Sequence, residues 1–67
     1  MNNLSDFVRQ QRRLAGMTQI QLAQTAGVGL RFVRELEQGK QTLRADSVNK
    51  VLRLFGKTLG PVDLPRE

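Results

Sequence analysis

Apolar residues recur at three- and four-residue steps along most of the chain, which is the period of a helix and not of a strand. Leu4, Phe7, Val8, Leu14 and Ala15 mark a first helix over about Leu4–Leu14. Gln11 interrupts that stripe, so the helix buries a narrow face, and Gly16 suits a left-handed stop. Met17-Thr18-Gln19-Ile20-Gln21 then reads as a helix start. Thr18 is a good N-cap, Gln21 three residues later completes a capping box, and Met17 is placed to staple the chain to Leu22. Leu22, Ala23 and Ala26 form the buried edge of a second helix over about Gln19–Ala26, which Gly27 ends.

Only Gly27, Val28 and Gly29 separate this helix from the next. Three residues with a glycine in the left-handed position is helix-turn-helix spacing. Val28 is apolar in the middle of a turn, so it is expected to tuck between the two helices. The third helix is expected over about Leu30–Gln38, with Val33 and Leu36 facing inward and Gly39 as its end. Thr42 is placed to cap a fourth, over about Leu43–Phe55, in which Leu43, Val48, Val51, Leu52 and Phe55 repeat at helical intervals before Gly56. Beyond it the helical period is lost. Thr58-Leu59-Gly60-Pro61-Val62-Asp63 alternates loosely, and Pro61 restricts it to an edge strand or an extended tail. The pattern therefore predicts an all-α domain of four helices over residues 1–56, followed by a short extended segment or strand over residues 57–67.

Composition narrows the chemistry. A chain of 67 residues buries only roughly 60% of its unfolded surface, so a small core needs help. Disulfides cannot supply it, because there is no Cys. With neither Cys nor His, a transition-metal site is not expected, and the commonest catalytic base and nucleophile are missing. The six acids are scattered, so neither a cofactor nor an enzymatic site is expected. Self-association is left as the source of extra stability. Lys and Arg number 11 against those 6 acids, a net charge of +5. No acid occurs between Phe7 and Arg34, a stretch that holds Arg9, Arg12, Arg13, Arg31 and Arg34. Such a bias favours polyanions, either nucleic acid or an anionic membrane surface; the plainer alternative is a solvated basic face. No apolar run approaches the ~18–20 residues of a membrane span, and no signal-peptide pattern opens the chain. A cytoplasmic protein is expected, and the lack of Cys agrees.

The ordered set Arg12, Gly16, Met17-Thr18-Gln19, Leu22-Ala23, Gly27-Val28, Val33, Leu36-Glu37 and Gly39-Lys40 resembles the helix-turn-helix of the Xre/Cro-type repressors. Within that superfamily the run from Gly27 to Lys40 most resembles the small HipB-type antitoxins, and the length, fourth helix and extended end fit that group. The resemblance implies a compact lambda-repressor-like fold and a homodimer that binds a palindromic operator in double-stranded DNA. It also implies a partner, a HipA-like kinase toxin encoded beside the chain, which the antitoxin would restrain while repressing their shared promoter. Two other classes stand beside this one: a stand-alone phage- or plasmid-type regulator without a toxin, and an interaction module that has lost DNA binding.

A short turn leaves the third helix protruding toward the major groove. By position in the motif, the candidates for base contact are Gly29, Leu30, Arg31, Arg34 and Glu35. Arg31 and Arg34 can each bridge O6 and N7 of guanine, or anchor a phosphate. Leu30 can meet a thymine methyl or cover the core. Glu35 can accept from cytosine, although a pair with Arg31 one turn earlier is the more natural use. Gly29 stands where the superfamily commonly has a polar cap, so only its backbone can approach DNA. Phe32 stands where a small Ser or Thr is common, and is expected to pack on the domain surface or meet a partner.

Phosphate candidates are Thr18 and Gln19, at a helix start whose free N–H groups favour an anion. Gln38, Lys40, Gln41 and Thr42 form a second candidate grip, or else a solvated connector. Arg12 and Glu37 both lie on the inner sides of their helices, and burying either alone is costly, so a largely buried ion pair is expected. The resemblance implies the same pair. Val51, Leu54, Phe55, Leu59 and Val62 point in more directions than one small domain can cover, and are the candidate dimer interface. Antiparallel pairing of the tail about a two-fold axis is expected to contribute to it, the competing arrangement being a dimer through the fourth helix alone.

Overall fold

The structure, a computed structural model, describes residues 3–61. It contains four helices: α1 (Asn3–Leu14), α2 (Gln19–Ala26), α3 (Leu30–Glu37) and α4 (Ala45–Arg53). Among the described residues there is no strand, so the fold is a compact all-α domain. Its core is aliphatic. Val8 of α1, Leu22 and Ala23 of α2, Val33 and Leu36 of α3, and Val48, Val51 and Leu52 of α4 are all buried. Leu22 and Leu36 are the largest of them with almost no exposure, and removing such a side chain typically costs about 2–5 kcal/mol.

The second helix begins and ends where local chemistry says it should. Thr18 is extended, its hydroxyl accepts from the Gln21 N–H at 3.1 Å, and its own N–H donates to Gln21 Oε1 at 2.8 Å. Met17 packs half-buried against the core. Gly27 then takes φ 75°, and both its N–H and that of Val28 donate to the Ala23 carbonyl at 3.0 Å. Val28 is half-buried against the core, as its apolar side chain required. The helix ends at α1, α3 and α4 share one closure. In each, the N–H of the residue after the closing glycine reaches back five residues, as Met17 to Arg12, Lys40 to Glu35 and Lys57 to Leu52. A glycine with positive φ precedes that N–H every time, which is the Schellman arrangement.

Two expectations need correction. Leu14 and Ala15 do not join the buried stripe of α1; Leu14 is 74% exposed. The inward line of that helix runs through Ser5, Val8 and Arg12, and Leu14 projects from the opposite side of the same turn. The fourth helix begins at Ala45 and not near Leu43, and Thr42 does not cap it. Leu43 packs against the core before the helix starts, so Arg44 becomes the N-cap and Asp46 bonds to Arg44 and to the Ser47 N–H in the first turn. The helix also stops at Arg53, with Phe55 in the turn that follows.

Residues 57–61 form neither helix nor strand; the Leu59 N–H donates to Asn49 Oδ1 at 2.8 Å and the Thr58 hydroxyl to the same oxygen at 3.1 Å. A single side chain of α4 thus fastens the segment within its own chain, and the Leu59 N–H needs no second subunit to be satisfied.

Gly27 is the position where the turn most constrains the chain. A Cβ there would meet nothing within 4 Å, so substitution is opposed by backbone strain alone. Gly27→Ala is expected to lower stability by about 1 kcal/mol, the left-handed penalty offset in part by a stiffer unfolded chain. Denaturant unfolding of the two proteins checks this; an unchanged or raised midpoint would mean that the turn tolerates another backbone path.

Candidate nucleic-acid interface

The turn between α2 and α3 is only three residues long, so the two helices stay in contact and α3 is held across the front of α2. What fixes its position is a carboxylate. Glu37, at the end of α3, has a side chain only 3% exposed. Its Oε2 accepts from Arg12 Nε at 2.7 Å and its Oε1 from Arg12 Nη2 at 3.1 Å, a bidentate pair from α1. Oε1 also accepts from Gln19 Nε2 at 3.2 Å, which ties in the start of α2. The remaining guanidinium nitrogen of Arg12 donates to the Met17 carbonyl at 2.9 Å. Arg9 adds a bond from Nη2 to the Glu37 carbonyl oxygen at 2.6 Å. Three helices meet at this acid, and among the described residues no buried side-chain nitrogen or oxygen is left without a partner.

The structure therefore brings Arg12 and Glu37 together. It places Gln19 differently from the simple expectation. Its amide is half-buried and turned toward Glu37, with one N–H engaged there. A primary amide has two donors, so the second is left for an outside acceptor. Thr18 is exposed, with its hydroxyl occupied by the cap.

The opposite face of α3 is turned to solvent. Val33, Leu36 and Glu37 are buried, whereas Arg31, Arg34 and Gln38 are exposed. Leu30 and Phe32 are half-buried and pack against the core, so both contribute to covering it. Gly29 is the N-cap of α3, exposed, with no side-chain cap bond. The ion pair expected between Glu35 and Arg31 is replaced by another. Lys40 Nζ lies 2.7 Å from Glu35 Oε2, because the closure at Gly39 folds the chain back and also sets the Lys40 N–H on the Glu35 carbonyl at 3.1 Å. The hydrogen bond from Lys40 holds the Glu35 carboxyl below its ordinary pKa, and the charges of Lys40 and Arg31 add to the effect. Gln41 and Thr42 are exposed beside it.

Of the residues expected at a dimer interface, Val51 is fully buried in this chain's own core, so a partner cannot reach it. The helical period places it inward with Val48 and Leu52. Phe55 is half-buried, its ring edge-on to Phe7 with centroids 6.3 Å apart. Leu54 and Leu59 remain 39% and 41% exposed. Val62 lies outside the described residues. Arg9 and the Lys40–Glu35 pair were not foreseen. Arg9 gave no signal beyond its place one turn before Arg12, but Gly39-Lys40 after Glu35 is a legible Schellman sequence.

No described helix is long and apolar enough to cross a membrane. A braced helix-turn-helix whose third helix turns Arg31 and Arg34 to solvent defines a class, that of DNA-binding domains which present one helix to the major groove. The helix-turn-helix family matches residues 8–62, and the chain belongs to that family, in its Xre/Cro-type form. The chain is 41% identical over 54 residues to y4mF of Sinorhizobium fredii, an uncharacterised HTH-type transcriptional regulator, across 81% of this chain and 71% of that relative. Family and relative together make the chain a DNA-binding transcriptional regulator of the helix-turn-helix type, not an enzyme.

The buried carboxylate gives a direct test of the brace. Glu37→Ala leaves Arg12 buried without its partner and is expected to cost about 3 kcal/mol in denaturant unfolding. In an Arg12→Ala background the same change should cost far less, because the two residues share one interaction. Equal losses in both backgrounds would show that Glu37 acts independently of Arg12.

Proposed function

We propose that the protein is a sequence-specific repressor that binds a palindromic operator as a homodimer. The observation that carries this reading is the division of α3 into a braced inner face and an exposed outer face holding Arg31 and Arg34. Arg31 and Arg34 are the proposed base readers, with Leu30 and the Gly29 backbone close to the groove wall. Gln19, through its second amide N–H, and Gln38, Gln41 and Thr42 are the proposed phosphate contacts, and the start of α2 adds its free N–H groups. A two-fold dimer would set two copies of α3 about 34 Å apart, one turn of DNA. Its proposed apolar surface is Leu54 and Leu59 with the groove lined by Leu4, Phe7 and Leu52. The antitoxin role and the HipA-like kinase partner rest on the resemblance to HipB-type proteins and extend this proposal without a separate observation of their own.

Arg31→Ala should cost about 1–3 kcal/mol on the preferred site and relax preference at one base position. Fluorescence anisotropy on matched and mismatched duplexes reads both quantities; equal losses on preferred and random DNA would reduce Arg31 to a phosphate contact. Sedimentation of the chain cut after Gly56 addresses the dimer. If residues 57–67 contribute, the shortened chain should dissociate at higher concentration than the full one, and an unchanged equilibrium would exclude that segment from the interface.

A further inference from the structure

The outer face of α3 carries one acid among its cations, and that acid is not loose. Glu35 is held twice by Lys40, through the backbone bond to its carbonyl and through the 2.7 Å contact between Nζ and Oε2. The Gly39 closure, with φ 85°, fixes the path that delivers Lys40 there. The Glu35 side chain is the more covered of the two, 26% exposed against 46% for Lys40. A free carboxylate at a DNA surface would be repelled by the phosphates. One whose Oε2 is masked by an ammonium group keeps Oε1 as a directed acceptor while adding little net charge. The partner for such an acceptor in the major groove is the exocyclic amino group of cytosine.

We infer that Lys40 and Glu35 form one base-reading unit, in which Lys40 positions and masks the carboxylate and Glu35 accepts from cytosine N4. The inference rests on the DNA-binding reading above and deepens it. Lys40 is then a positioning residue for recognition and not an independent phosphate anchor. An anchor would carry its ammonium toward the backbone; here the group is committed to α3's own side chain.

The test starts with selection of a site by the full chain from a randomised duplex pool. The selected duplex, its single-base-pair variants and a scrambled duplex then serve as probes for wild type, Lys40→Ala, Lys40→Arg, Glu35→Gln and the Lys40→Ala/Glu35→Gln double variant. Lys40→Ala should lose about tenfold on the selected duplex and little on the scrambled one. It should lose its preference at the same base pair as Glu35→Gln, which should move that preference from cytosine toward adenine. Lys40→Arg should keep the preference, and the double variant should be no weaker than the worse single one. Thermal unfolding of Lys40→Ala should be nearly unchanged, since exposed pairs contribute little to stability. Equal weakening of both duplexes, with base preferences intact and a salt slope smaller by about 1, would make Lys40 a phosphate anchor and overturn the inference. Failure of the wild type to enrich any site would instead overturn the DNA-reading function on which the inference rests.

Discussion

The fold turns on one nearly buried carboxylate. Taking an ion out of water costs several kcal/mol, and Glu37 recovers that cost only because α1 supplies a bidentate guanidinium and α2 supplies an amide. Each partner alone would leave charge or hydrogen-bonding capacity unmet. The aliphatic side chains beneath hold α3 against α2 by non-directional burial, and directed bonds sharpen the register of the helix against its neighbours. The directed bonds at Glu37 supply that registration. Arg12 extends it to the first connection through the Met17 carbonyl, and Arg9 closes it over the end of α3.

This arrangement separates two demands on one short helix. Val33, Leu36 and Glu37 answer to the interior, and Arg31, Arg34 and Gln38 answer to whatever lies outside. Substitution on the outer face disturbs no buried contact, so recognition can change without loss of fold. Glu35 and Lys40 sit at the margin between these roles, where the chain folds back at Gly39.

What could be read from the residues follows how local each signal is. The ends of α2 were legible to the residue because Thr18, Gln21 and Gly27 settle them within a few positions. The Arg12–Glu37 contact was legible because two charges on inward faces have few alternatives. The start of α4 was not, since Leu43 is drawn onto the core by tertiary packing that no capping rule contains. Leu14 misled because its apolar character outweighed its angle on the helix. The Asn49 tie to Leu59 was invisible for a similar reason, as an amide acts across whatever gap the fold happens to leave. At the candidate interface, the exposed positions of α3 were named from their place in the resembled motif, whereas the partner of Glu35 depended on a closure beyond the helix.

The repeated glycine closures at the ends of α1, α3 and α4 bear on how the chain reaches this state. Each is completed within six consecutive residues, so each helix can be terminated before distant segments have met. Chains dominated by such local contacts fold fast, in microseconds to milliseconds. The bond from Arg12 to Glu37 spans 25 residues and that from Arg9 spans 28, and both enclose α2 and the turn. The glycine closures are thus local features of the chain, and the buried charge is a long-range one whose loop carries the larger entropy of closure.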